Sequence, residues 1–191
     1  MSLLEPFQQY AATVGTRISV VASQAEAAMT ILDSTDGGLK VVEALAAIYP
    51  ELLLALHGEG RDVRIAEEIA SQQSDRSLLA AELAGGTGIV VAYAGVAETG
   101  SLILADDALA PRLLSMLADV CIALLPATAI VPGLDEAGVI LAELNAQGHR
   151  YVSLVTGPSR TADIERVLTI GVQGPKSLHI VVIREDGAED V

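Results

Sequence analysis

The 191-residue chain has the length of one α/β domain, which on folding buries roughly 70% of the surface its unfolded chain exposes. A net charge of −14, with one Phe, four Tyr and no Trp, argues against a nucleic-acid partner: phosphates are repelled and few rings are on offer for stacking. The acidity reads as a solubility feature.

Hydrophobic residues make up 51% of the chain, enough for a large core. No uncharged apolar run reaches the roughly 18 residues of a membrane span, and Met1–Tyr10 lacks the basic-then-apolar pattern of a secretory signal. The single cysteine, Cys121, lies in an apolar run and reads as a buried structural thiol. Disulfides and Cys-ligated clusters are excluded, and a reducing cytoplasm is the expected location. His57, His149 and His179 are scattered without metal-ligand spacing, so neither a metal nor a cofactor is expected.

In chain order, Phe7, Tyr10, Ala11 and Val14 fall at helical spacing with Pro6 near the start, predicting an opening helix. Ile18–Ala22 reads as a buried strand. Ser23 and Glu26 then form a capping-box pattern ahead of a helix with the face Ala25, Ala28, Met29 and Leu32. After Gly37-Gly38, the stripe Leu39, Val42, Ala46 and Tyr49 predicts a helix stopped by Pro50, and Leu52–Leu56 a strand. Helices are expected around Ile65–Ala70 and Leu78–Leu83.

Ile89–Tyr93 and Ser101–Leu104 read as strands flanking Glu98-Thr99-Gly100, followed by a short helix at Pro111–Leu117 and a strand at Val120–Leu125. Leu134, Ala137, Gly138, Leu141 and Leu144 share a helical face, with Gly148 placed for a positive φ just past the helix end. Tyr151–Val155 is a strand, and Gly157-Pro158 turns into a helix carrying Ile164, Val167 and Leu168. Leu178–Ile183 is the last strand, ahead of a polar, frayed tail. Apolar strands alternating with helices define an α/β fold: one domain over residues 1–191, with a mostly parallel sheet and helices on both faces. In such sheets ligands bind where strands end and helices begin.

Three turns can carry chemistry. In Thr156–Glu165, Ser159 and Thr161 are candidate helix caps whose neighbouring N–H groups attract anions, and Arg160 offers a bidentate fork for carboxylate or phosphate. The competing reading is a capped helix with a solvent-facing Arg, and Asp163 and Glu165 weigh against a highly charged anion. In Val96–Ser101, a half-buried Glu98 beside Gly100 can serve as base, nucleophile or anchor, although spacing alone favours a turn carboxylate capping N–H groups. Gly171-Val172-Gln173-Gly174-Pro175 reads as a turn or a ligand-facing loop. Gly85-Gly86-Thr87-Gly88 matches no known phosphate loop.

The strings Val96-Ala97-Glu98-Thr99-Gly100-Ser101-Leu102-Ile103-Leu104 and Gly157-Pro158-Ser159-Arg160-Thr161-Ala162-Asp163-Ile164-Glu165, followed by Gly171–Pro175, resemble the lactate-utilisation protein C family, the LUD domain. Pro111-Arg112-Leu113-Leu114-Ser115 and Ala129-Ile130-Val131-Pro132 fall in matching order between them. The resemblance covers roughly residues 87–183. It implies a fold like that of the NagB/RpiA/CoA-transferase superfamily. It also implies a subunit without iron–sulfur clusters, working beside iron–sulfur partners in oxidising lactate to pyruvate.

On that resemblance, a small anionic ligand would meet Glu98, Thr99, Gly100, Gly157, Pro158, Ser159, Arg160, Thr161, Asp163, Gln173 and Gly174, with Glu98 the catalytic candidate. The family's Gly-Val-His-Gly-Pro reads Gly-Val-Gln-Gly-Pro here, so an amide that cannot titrate replaces an imidazole that can. The alternative is an independent enzyme or binding protein for a phosphorylated or CoA-linked small molecule.

Overall fold

The computed structural model describes residues 2–162, 168–170 and 174–184. Helix α1, Leu4–Thr13, buries Phe7 and Ala11 and leads into strand β1, Arg17–Val21. Helix α2, Gln24–Ser34, starts as the sequence predicts: Ser23 Oγ accepts from Glu26 N at 3.2 Å. Glu26 reaches one residue further back than a standard capping box, accepting from Ala22 N at 2.8 Å. Its buried face is Ala27, Ala28 and Ile31, so Met29 turns out to solvent instead of in.

Strand β2, Leu39–Val41, helix α3, Ala44–Ile48, and helix α4, Pro50–Gly58, replace the helix-then-strand order expected here. The stripe from Leu39 to Tyr49 is a coincidence of a short strand followed by a helix. β2 is held by parallel pairing on both sides, a tertiary force that overrides the local pattern. Leu52–Leu56 is an apolar run that spacing cannot assign. Pro50 opens it as a helix, and Gln24 Oε1 caps that start from a distance, accepting from Glu51 N at 3.1 Å and Leu52 N at 3.2 Å.

Strand β3, Val63–Ile65, and helices α5, Ala66–Ser71, and α6, Arg76–Leu83, follow. Next come strands β4, Thr87–Val91, β5, Ala94–Val96, and β6, Ser101–Ala105, then helix α7, Leu109–Leu117, and strand β7, Val120–Pro126. A short strand β8, Ile130–Val131, precedes helix α8, Leu134–Ala146, and strand β9, Val152–Val155. Gly148 takes φ +98° just past α8, as its position predicts. Arg160–Ala162 and Leu168–Ile170 form an antiparallel pair, β10 and β11, where the sequence suggested a helix beginning. The helical positions Ile164 and Val167, and the tail beyond residue 184, lie outside the described residues. Strand β12, Ser177–Ile183, completes the order.

Six strands form one sheet in the order β1-β12-β7-β4-β2-β3, every neighbour parallel. Its central strands are apolar on both faces, in strict alternation. Ile89, Ile122, Leu124, Val181 and Ile183 meet α2, α3 and α4 through Ala28, Ile31, Leu45, Tyr49, Leu52 and Leu56. Val90, Cys121, Ala123, Leu125, Ile180 and Val182 meet Phe7 of α1, Ile69 of α5, Leu79 and Leu83 of α6, and Leu114 of α7. The expected α/β class, a mostly parallel sheet with helices on both faces, is what the chain forms.

A second sheet was not expected. It has the order β8-β5-β6-β9, with β6 antiparallel to both neighbours. Leu102 and Leu104 of β6 face the main core, while Ile103 faces α8 through Ala137 and Leu144. The second sheet is therefore a layer between the main core and α8. Ile122, fully buried at the centre of the main sheet, gives the packing test. Ile122→Ala should destabilise the protein by about 2–5 kcal/mol in urea unfolding; a loss under about 1 kcal/mol would contradict this core.

Candidate functional site

The turns singled out in the sequence meet through the second sheet. β6 pairs antiparallel with β9, Leu102 opposite Val155, so Ser101 and Thr156 come side by side at one end. Their hydroxyls are 2.6 Å apart, and Thr99 Oγ1 donates to Ser101 Oγ at 2.8 Å. Three hydroxyls thus link the Glu98-Thr99-Gly100 turn to the turn that begins at Gly157.

Both turns are pressed against α1 and need their glycines. Gly100 has φ +64°, and a Cβ there would collide with the backbone of Ala11. Gly157 has φ +75°, and a Cβ would sit 2.7 Å from the carbonyl of Val14. The Arg160 guanidinium donates to that same Val14 carbonyl. Ser159 N donates to Pro175 O at 2.9 Å, drawing the last motif turn in beside Gly157–Arg160.

These turns border a cavity of about 650 Å³. Gly157, Pro158, Ser159, Arg160 and Gly174 all line it, together with the whole stretch from Tyr151 to Thr156. Asp106, Arg112, Ser115 and Met116 form the facing wall. Thr99 and Gly100 lie behind this lining, reached through Ser101 and Thr156. Glu98 is not part of the lining. It is exposed, and its carboxylate accepts from Leu134 N at 3.1 Å, at the first turn of α8. That is the capping arrangement which spacing favoured. The backbone of Thr161 is the middle of β10, opposite Thr169; Asp163 and Gln173 lie outside the described residues.

The cavity lies away from the expected carboxyl ends of the parallel strands. Gly174 and Pro175 lead into the amino end of β12, and Val14, which Arg160 holds, leads into the amino end of β1. The physical reason is that the motif turns belong to the second, largely antiparallel sheet, to which the carboxyl-end rule for open parallel sheets does not apply.

Sequence reasoning missed the chemistry of the facing wall. The Arg112 guanidinium lies 3.6 Å from the centroid of the Tyr151 ring, a cation–π contact, and Arg112 Nε donates to Ala108 O at 3.2 Å. Asp106 is partly buried, and its carboxyl is pushed up to about 6. Burial is the main cause; Glu67 and Asp107 push the same way, and Arg112 opposes them. The string Pro111–Ser115 was legible as a family likeness, but nothing local pairs Arg112 with Tyr151, 39 positions further along the chain.

Two buried titrations now oppose each other. His179 is bonded to Ser19 Oγ at 2.9 Å, and burial, helped by Arg17, pulls it down to about 4. It is neutral in the fold, so its contribution to stability is present above about pH 6.5 and is lost as pH falls towards 4. Asp106 behaves in the opposite sense. Its penalty for being charged is present above about pH 6 and is relieved as pH falls towards 4.

Asp106→Asn should therefore stabilise the protein at pH 8 and make its loss of stability between pH 6 and 4 steeper than in wild type. Unfolding midpoints measured across that range check the sign; parallel curves would count against a raised Asp106. The hydroxyl link gives a second test. Ser101→Ala and Thr156→Val, alone and together, should show a coupling energy of about 0.5–1.5 kcal/mol in urea unfolding, whereas additive effects would mean the two turns are not joined.

Comparisons with known proteins agree with the fold and the motifs. A sequence model described as the LUD domain matches residues 4–183, beginning well before the stretch that carries the recognisable strings. The chain is 36% identical over 99 residues to lactate utilization protein C 1 of Bacillus mycoides (strain KBAB4), covering 50% of this chain and 42% of that protein. It is 35% identical over 99 residues to lactate utilization protein C of Bacillus subtilis (strain 168), covering 50% and 41%. These matches span less than half the length of those relatives. The crystal structure of a DUF162 family protein from Deinococcus radiodurans superposes with a TM-score of 0.65 at 22% identity, covering 95% of this chain and 96% of that one, and shares the fold. The likeness to lactate-utilisation protein C read from Val96–Leu104 and Gly157–Glu165 is thereby borne out, and the chain belongs to the LUD domain family.

Proposed function

We propose that this chain is a component of a lactate utilisation system, without an iron–sulfur cluster of its own, and that the cavity between β9 and α7 receives an anionic group from a small ligand or a partner subunit. The observation that carries the reading is the likeness to proteins named lactate utilization protein C. Two features of this chain support it. Arg112 and Arg160 both line the cavity and each is bonded to a backbone carbonyl, so that, with Asp106 the one carboxyl among the described lining residues, a positive balance is left for an incoming carboxylate. Cys121 is fully enclosed and its thiol is pushed up to about 12 by burial, so it offers no thiolate to a cluster. Iron–sulfur subunits would then supply the electron carriers in oxidising lactate to pyruvate.

The volume of the cavity favours a second reading. At about 650 Å³ it lies within the range of sites for drug-sized molecules, far above the need of a three-carbon acid. A phosphorylated or CoA-linked small molecule would fill it better, and the chain would then act as an independent enzyme or binding protein.

A strain lacking the gene should fail to grow on lactate yet grow normally on glucose, with growth on lactate restored by the wild-type gene. Undiminished growth on lactate would overturn the first reading. A thermal-shift screen of lactate, pyruvate, sugar phosphates and CoA esters separates the two. A rise in melting temperature only with the larger phosphorylated compounds selects the second.

A further inference from the structure

The cavity is shaped by a free strand edge. Among the described residues β9 has one strand neighbour, β6. Asp106 N donates to Tyr151 O, and Tyr93 N donates to Ile103 O on the opposite side of β6. In an antiparallel ladder these directions alternate. Tyr151, Ser153 and Val155 therefore bond inward to β6, while the N–H and C=O groups of Val152 and Leu154 point away from it.

The cavity runs along that edge. It touches every residue from Tyr151 to Thr156, and these carry side chains on both faces of the sheet: Val155 packs on the main core and Val152 on the α8 side. An opening along the edge of a strand meets consecutive residues in this way, and β9 has such an edge on the side away from β6. Helix α7 forms the opposite wall through Arg112, Ser115 and Met116, and the Gly157–Arg160 turn closes one end.

Exposed edges are normally guarded by charges, by proline or by a covering element. Tyr151-Val152-Ser153-Leu154-Val155-Thr156 contains neither a charge nor a proline. Tyr151, Leu154 and Met116 beside it are 52%, 44% and 56% exposed. An unguarded edge with an apolar border and a helix opposite has the geometry of strand-addition sites, where backbone bonds give affinity and alternate side chains give specificity. The charges on the walls choose the occupant: Arg112 and Arg160 stand at the groove of a chain whose net charge is −14, against, among the described residues, the single carboxyl of Asp106.

Deepening the reading of this cavity as a contact site, we infer that the groove between β9 and α7 binds an extended, acidic segment of a partner protein, which adds to the second sheet as a fifth strand beside β9. Six residues of such a segment, about 20 Å in length, match Tyr151–Thr156. Its backbone pairs with Val152 and Leu154, and its acidic side chains meet Arg112 and Arg160.

The probe is a fluorescein-labelled eight-residue peptide of alternating Glu and Val, read by fluorescence anisotropy on the full chain. It should bind at least tenfold more tightly than the Lys-Val peptide of the same length. N-methylation of alternate peptide nitrogens in the register that pairs with β9 should weaken binding at least tenfold. Leu154→Pro removes one outward N–H without breaking a bond to β6, and should do the same. If that variant does not fold, the N-methylated peptide gives the same readout on the unaltered protein. Absence of binding, equal binding of the N-methylated peptide, or occupation of the edge by a second copy of this chain, seen as a dimer in sedimentation that Leu154→Pro abolishes, would overturn the inference. Growth on lactate tests the wider role separately, so the two readings can fail independently.

Discussion

The pairing of β6 with β9 is the constraint on which the candidate site rests. It sets Leu102 opposite Val155 and Ala105 opposite Val152, and so decides which side chains stand at the end of the second sheet. A shift of one residue would turn Leu102 and Leu104 away from the main core and Ile103 into it. The register is therefore fixed by burial: Leu102 and Ile103 are both fully buried, on opposite faces. Once it is fixed, the Ser101 and Thr156 hydroxyls have to meet, and the turns beyond them are delivered to the same place.

That dependence explains what was legible in the sequence. The central parallel strands announce themselves because both their faces are buried: Val120–Leu125 is an unbroken apolar run, and Leu178–Ile183 is interrupted only by His179. β5 is Ala94-Gly95-Val96, and β8 is only Ile130–Val131; neither composition nor length marks them as strands. Gly95 is there because a Cβ would come within 2.8 Å of Leu125 and 3.0 Å of Phe7, a requirement visible only once the second sheet lies on the first. α4 was misread for a similar reason, since its start is capped by Gln24 from another helix.

The site was legible as strings and not as a constellation. Gly157–Arg160 could be named because its residues are consecutive and resemble a family. The wall opposite them comes from the approach to α7 and from α7 itself, and its meaning lies in contacts such as that of Arg112 with Tyr151, which no local pattern encodes. Glu98 shows the converse error. Its neighbours are small and apolar, which suggests burial, but the acceptor it provides is spent on the start of α8. Glu136 accepts from Gly133 N at 3.0 Å in the same turn, so two carboxylates satisfy that helix start and leave it no vacancy for an anion.

Charge placement points the same way as shape. Arg64 is paired with Glu82 and Lys176 with Asp119, both on the surface, where such pairs cancel charge locally and add little stability. Lys40 and Arg61 donate to carbonyls at helix ends, at Ala84 and Leu32, and serve the fold. Arg112 and Arg160 also donate to carbonyls, but they do so at the rim of a cavity that has, among the described residues, one carboxyl, Asp106, held up at about 6 by burial. Near neutral pH that carboxyl is mostly ionised and offsets one guanidinium, leaving the groove with a local positive balance on an acidic molecule. Long-range repulsion from the rest of the chain then slows an acidic partner's approach and is screened within about 8 Å at physiological salt, so discrimination falls to contacts made inside the groove. A site of that kind selects by register and hydrogen bonding more than by attraction at a distance, which is what a strand edge flanked by two fixed guanidinium forks provides.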